Sequence, residues 1–141
     1  MSTHPVVAVA RSWLGTPWQH QGRLPGVALD CVGLVICAAR AVGHVPPDWD
    51  FNGYARRPDG SMVQLCDQVL TRVRPTDMAP GDVAAIAIGT DPQHMAIVGD
   101  YRHGGLSLIH SHSVVGRVVE TRMLWLRGFR LRGVWRMGAS A

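Results

Sequence analysis

The chain of 141 residues is 47% hydrophobic and 17% charged, with 14 basic against 10 acidic side chains and a net charge of +4. At ~150 residues per domain this length corresponds to a single domain spanning 1–141, long enough to build a hydrophobic core without disulfide or metal staples, and the composition excludes a disordered chain. The longest uncharged apolar stretch, Val32 to Ala39, falls far short of the ~20 residues that span a bilayer, so no membrane insertion is expected. Met1 to Arg11 lacks a basic leader followed by an apolar segment, so synthesis in the cytoplasm without a signal peptide is expected. Three cysteines, at 31, 37 and 66, make no Cys-x-x-Cys pair, and their odd number argues against a disulfide framework. Every basic residue is Arg, and the arginines are scattered through the C-terminal third rather than run together, which argues against a nucleic-acid partner.

In chain order, Val6, Val7, Val9, Ala10, Trp13 and Leu14 recur at helical spacing between a Pro5 start and a Gly15 stop. Thr16 to Leu29 holds two Pro and two Gly without a period and reads as a long loop. Asp30 to Gly43 is apolar on nearly all sides, the pattern of a buried helix, with Asp30 as its N-cap and Gly43 as its stop. A second loop runs from His44 to Gly60. Ser61 then caps a third helix whose Met62, Leu65, Cys66, Val69, Leu70 and Val73 form one stripe. After Gly81 the period shifts towards two, giving strands at Asp82 to Ile88, His94 to Tyr101, Leu106 to His112, Gly116 to Arg122 and Gly128 to Arg136. Turn signals at Thr90-Asp91-Pro92 and Gly104-Gly105 predict that successive strands pair antiparallel as a meander. Helices first and strands afterwards make the fold class α+β.

Cys31 opens the buried helix, where unpaired backbone N–H groups and the helix dipole favour an anion and lower a thiol pKa. A free Cys is commonly a core residue, and Cys37, six positions further in, is read that way. A nucleophilic thiol needs a base, and the base an orienting group. His94 opens one predicted strand, while His110 and His112 close the next with equal parity and so face one side of the sheet. Which of the two lies opposite His94 depends on the register of the intervening hairpin, which the sequence leaves open. His4, His20, His44 and His103 are read as surface or satisfied core residues.

Gly15-Thr-Pro-Trp18, Leu29-Asp-Cys-Val-Gly-Leu34, Pro80-Gly-Asp-Val83, His94-Met-Ala-Ile-Val98 and Ile109-His-Ser111, taken in order, resemble the NlpC-type cysteine peptidases. The likeness covers about Arg11 to Glu120. Trp13-Leu-Gly-Thr-Pro17 and the downstream Arg117-Val-Val-Glu120 are most similar to the small phage and prophage tail-assembly members. The resemblance implies a permuted papain-like fold in which N-terminal helices pack on a C-terminal antiparallel sheet. It implies a Cys31–His94–His110 triad, with Cys31 attacking a peptide bond of a peptidoglycan stem peptide, in the family's manner the γ-D-glutamyl to diamino-acid bond. It further implies substrate binding by Asp30 and Trp18, no cofactor and no metal, phage tail proteins as partners, and action at the cell wall. Two residues depart from the family's pattern: Val32 stands where the family carries Ser, removing a hydroxyl near the substrate, and Trp18 replaces a Tyr. His112 is an alternative third residue, because sixteen residues separate His94 from His110. A non-catalytic tail component of the same fold, and a zinc site built from Cys31, His94, His110 and His112, are the competing readings.

Overall fold

The computed structural model describes residues 4–51, 61–88, 91–123 and 129–138. The expected turn at Thr90, the second half of the loop before Ser61, and the Gly128 start of the last strand lie outside the described residues.

Helix α1 (Pro5–Ser12) is followed by a two-residue strand pair, β1 (Arg23–Leu24) and β2 (Ala28–Leu29), and then by α2 (Cys31–Ala41) and α3 (Ser61–Val69). The sheet strands are β3 (Thr71–Val73), β4 (Val83–Ile88), β5 (Asp91–Asp100), β6 (Leu106–His112), β7 (Arg117–Arg122) and β8 (Phe129–Arg136), and a 3₁₀ turn at Pro75–Asp77 precedes β4. All sheet pairings are antiparallel, in the order β3-β8-β4-β5-β6-β7. The fold is thus α+β, with helices on one face of a six-stranded sheet. Among the described residues no helix is long and apolar enough to cross a membrane.

The elements follow from local chemistry. Residues 32–39 of α2 are buried without interruption, as expected for a helix apolar on all sides. They pack with Val6, Val7 and Ala10 of α1, Met62 and Cys66 of α3, and Val83, Ala85, Met95, Ile97, Ile109 and Trp135 of the sheet. The alternate residues Ala84, Ile86, Ala96, Val98 and Leu108 form a second, smaller core on the other face. Gly33 is required by close approach, since a Cβ there would lie 2.0 Å from the Gly22 carbonyl oxygen.

The structure corrects the sequence reading at several points. Strands β4 to β7 form the expected meander, but β8 does not extend it past β7; it returns to pair with β4 and β3. Strand pairing of this kind depends on long-range burial, here of Trp135 against the helices, and leaves no local signal. Val73 belongs to β3, not to the third helix, which ends at Val69. Ser61 is the first residue of that helix, and the first helix ends at Ser12 rather than Leu14. The segment read as a free loop from Thr16 is stitched to β7: Gly15 N–H donates to Val118 O, Val118 N–H to Thr16 O, and Trp18 N–H to Gly116 O. Leu29 N–H donates in turn to Pro17 O.

The Pro80-Gly81-Asp82 motif is structural. Gly81 has φ +94°, and the His4 ring, which also caps α1 by accepting from Val6 N–H, fills the place of its missing side chain. Asp82 is buried and binds the Arg136 guanidinium through both oxygens, at 2.8 and 2.9 Å, while accepting from Ala79 N–H at 2.9 Å. Replacing a buried, charge-paired acceptor costs more than an ordinary surface contact. Asp82→Ala is therefore expected to lower unfolding free energy by about 2 kcal/mol, seen as a lower urea midpoint at unchanged slope. An unchanged midpoint would show that the motif serves another purpose.

Candidate active site

Cys31 is the first residue of α2 and is half-buried. Asp30 is 3% exposed, and its carboxylate fixes that start: Oδ1 accepts from Gly33 N–H at 2.7 Å and from Arg23 at 3.3 Å, and Oδ2 accepts from Gln21 N–H at 2.7 Å. Arg23 also binds Asp50 at 2.7 Å and the Phe51 carbonyl at 2.8 Å, tying the loop after α2 to the same point. The other two thiols sit in different surroundings. Burial raises the Cys37 thiol pKa and pushes that of Cys66 up to about 12, which leaves both protonated and unreactive at neutral pH.

His94 lies inside β5 rather than at its start, and His110 and His112 end β6. The β5–β6 register pairs Ile97 with Ile109 and Asp100 with Leu106. It puts His94 and His110 on one face as diagonal neighbours, and their rings meet: His94 Nε2 and His110 Nδ1 are 2.6 Å apart. His110 Nε2 lies 3.3 Å from Thr121 Oγ1 on β7. The alternative third residue is engaged elsewhere, since His112 Nδ1 accepts from Val114 N–H at 3.1 Å and Val115 N–H at 3.4 Å and so shapes the turn after β6. His112 still stands edge-on to both partners, with ring centroids 5.3 Å from His94 and 5.7 Å from His110.

One step along each strand from these histidines, the opposite face touches the lead-in to α2. Ser111 Oγ donates to the Leu29 carbonyl at 2.5 Å, two residues before Cys31. Met95 shares an apolar cavity with Val32, the residue after Cys31. Val32 thus packs into the core, so the side chain that replaces a hydroxyl acts in packing rather than at the surface. Trp18 is half-buried, and its amide bond to Gly116 O sets it beside the turn that follows His112.

Sequence reasoning missed Arg23, Ser111 and Thr121. Only Ser111 carried a visible signal, a polar residue at a helix-facing position between two histidines. The zinc reading gains nothing from the geometry. His94 and His110 spend a nitrogen on each other, His112 spends one on backbone amides, and among the described residues no three His, Cys, Asp or Glu side chains are grouped to hold a metal ion.

No family model and no curated protein matches the chain. Solved structures do. NlpC1 from Trichomonas vaginalis superposes with a TM-score of 0.67 at 15% identity, over 93% of this chain and 42% of that one, so the chain spans less than half of that protein. The NlpC/p60 domain of the peptidoglycan hydrolase SagA gives 0.64 at 20% identity, covering 97% of this chain and all of that domain. An N-acetylmuramoyl-L-alanine amidase from Bacteroides uniformis gives 0.59 at 14% identity, covering 94% and 97%. The fold is therefore the papain-like α+β architecture shared with NlpC/P60 domains.

Burial holds the His94 pKa well below the ordinary histidine value, with His110 and His112 adding to the effect; burial and then His112 bring His110 down to about 4. Both rings are neutral in the folded protein near neutral pH. As pH falls from about 6.5 the unfolded chain takes up protons that the native state refuses, so stability declines until the native rings titrate. Chemical denaturation between pH 7 and 4 is expected to show this loss, on the order of 3 kcal/mol for His110, and His110→Asn is expected to flatten the slope. A variant with the wild-type slope would contradict the buried neutral assignment.

Proposed function

We propose that the protein is a cysteine peptidase of peptidoglycan stem peptides, with Cys31 as nucleophile, His94 as base and His110 as the group that orients His94. The observation that carries this reading is the 2.6 Å contact between His94 and His110 on strands tied to the start of the Cys31 helix. With Nε2 of His94 engaged by His110, Nδ1 is the nitrogen assigned to act as base. His94 Nδ1 takes the thiol proton as Sγ attacks the substrate carbonyl, and backbone N–H groups at the helix start hold the oxyanion. The proton then passes to the departing amine, leaving a thioester that water hydrolyses with His94 again as base. The low intrinsic basicity of a buried His94 suits a ring that must be neutral to accept the proton.

The substrate class is supported by the fold shared with a peptidoglycan hydrolase domain and with an amidase, and by the five motifs in order. Cleavage of a γ-D-glutamyl to diamino-acid bond, association with a phage tail and delivery to the wall rest on the motifs. Asp30 serves the site by fixing the helix start, its carboxylate being bound by Gly33, Gln21 and Arg23, while the assignment of Trp18 to substrate rests on the motif.

Purified peptidoglycan of several wall chemotypes, digested with wild type, Cys31→Ala and Cys31→Ser and followed by fragment mass, tests this. Wild type is expected to release stem-peptide fragments and both variants to lose at least a thousandfold in rate. Equal digestion by all three would remove the nucleophile, and no digestion by wild type would favour the non-catalytic tail component. His110→Ala is expected to cost roughly a hundredfold and His112→Ala much less; the reverse order would make His112 the orienting residue.

A further inference from the structure

We infer that Thr121, on the edge strand β7, is a positioning residue that sets the tautomers of His110 and His94 and thereby decides whether His94 can act as a base. The inference deepens the peptidase reading and rests on it for its catalytic meaning, although the tautomer itself is a property of the resting protein.

A neutral imidazole carries one N–H, so a chain of two rings has two polarities. In one, His110 Nε2–H donates to Thr121 Oγ1, His94 Nε2–H donates to His110 Nδ1, and His94 Nδ1 presents a lone pair. In the other every bond is reversed: the Thr121 hydroxyl donates to His110 Nε2, His110 Nδ1–H donates to His94 Nε2, and His94 Nδ1 already bears a hydrogen. Only the first can receive a proton from a thiol. Burial of both rings allows no solvent to choose between them from within, for His94 is 5% and His110 6% exposed. The choice is made at the far end of the chain. Thr121 is exposed and its Oγ1 lies 3.3 Å from His110 Nε2; the first polarity turns its hydroxyl hydrogen to solvent and leaves a lone pair to accept from His110 Nε2–H.

The position of Thr121 is itself fixed. The register pairs His110 with Val119 and Leu108 with Thr121, making Thr121 the diagonal neighbour of His110 on the same face. On the opposite face the adjacent Glu120 is clamped by Arg11 at 3.0 and 2.8 Å and by Ser107 at 2.6 Å. Strand β7 is thus anchored to α1 and β6 at the residue next to the hydroxyl.

Long-range ¹H–¹⁵N correlation spectra of the imidazoles, recorded above pH 7 on wild type, Thr121→Val and Thr121→Ser, read the tautomers directly. Wild type and Thr121→Ser are expected to show protonated Nε2 and bare Nδ1 on both His94 and His110, and Thr121→Val to lose that pattern. On a stem-peptide fragment, Thr121→Val is expected to lower kcat about tenfold at unchanged KM, with Thr121→Ser restoring it. Should Val disturb β7, Thr121→Ala gives the same readout. A Val or Ala variant with the wild-type nitrogen pattern, or a wild type showing the reversed pattern, would overturn the inference. A wild type inactive on every substrate whose pattern still depends on Thr121 would instead remove the peptidase reading and leave the positioning role standing.

Discussion

A single buried carboxylate fixes where the central helix begins. Asp30 accepts the Gly33 amide that would otherwise be an orphan of the first turn, takes the Gln21 amide from the preceding loop, and receives Arg23, which in turn holds Asp50 and the Phe51 carbonyl. Shifting the cap by one residue would rotate the first helical position by roughly 100° and carry the Cys31 thiol to another face. Three chain segments would lose their common anchor as well. The thiol owes its position to this arrangement, and a carboxylate so bound stabilises the start of the helix.

The second constraint is the pairing of two rings in a dry setting. A buried imidazole avoids charge, and two of them side by side avoid it more strongly, so the 2.6 Å contact between His94 and His110 is one between neutral groups. Neutrality makes the polarity of the hydrogen bond matter, because the hydrogen on one ring dictates which nitrogen of the other is basic. Ser111, between the two C-terminal histidines of β6, binds the Leu29 carbonyl and couples the ring pair to the lead-in of the Cys31 helix.

Around these, ion pairs close the sheet at both ends. Arg11 of α1 grips Glu120 on β7, and Arg136 of β8 grips Asp82 before β4, so the first helix and the last strand are each tied to a distant part of the sheet. Both pairs are bidentate, the geometry in which an arginine–carboxylate contact contributes most. The return of β8 to β4 covers a strand that would otherwise be an edge, and buries Trp135 under the helices.

The sequence by itself determined the three helices and five of the sheet strands in their order, but not β1, β2 or β3. An apolar stretch of this length between Asp30 and Gly43 reads as a buried, capped helix, and this put Cys31 at a helix start; period-two runs separated by turn residues placed five strands to within a few residues, and equal parity put His110 and His112 on one face. These signals are local, carried by neighbours in the chain. Tertiary structure decided what depends on partners far apart in sequence. It made His110 the ring hydrogen-bonded to His94 and left His112 edge-on, because the hairpin register and the competing amides of Val114 and Val115 are set only on folding. It moved Val73 into a strand beside β8, returned β8 to β4, turned Val32 inward and brought Thr121 to His110. Each of these outcomes is a choice of which face meets which neighbour, and a strand or helix can satisfy its own backbone without revealing that choice.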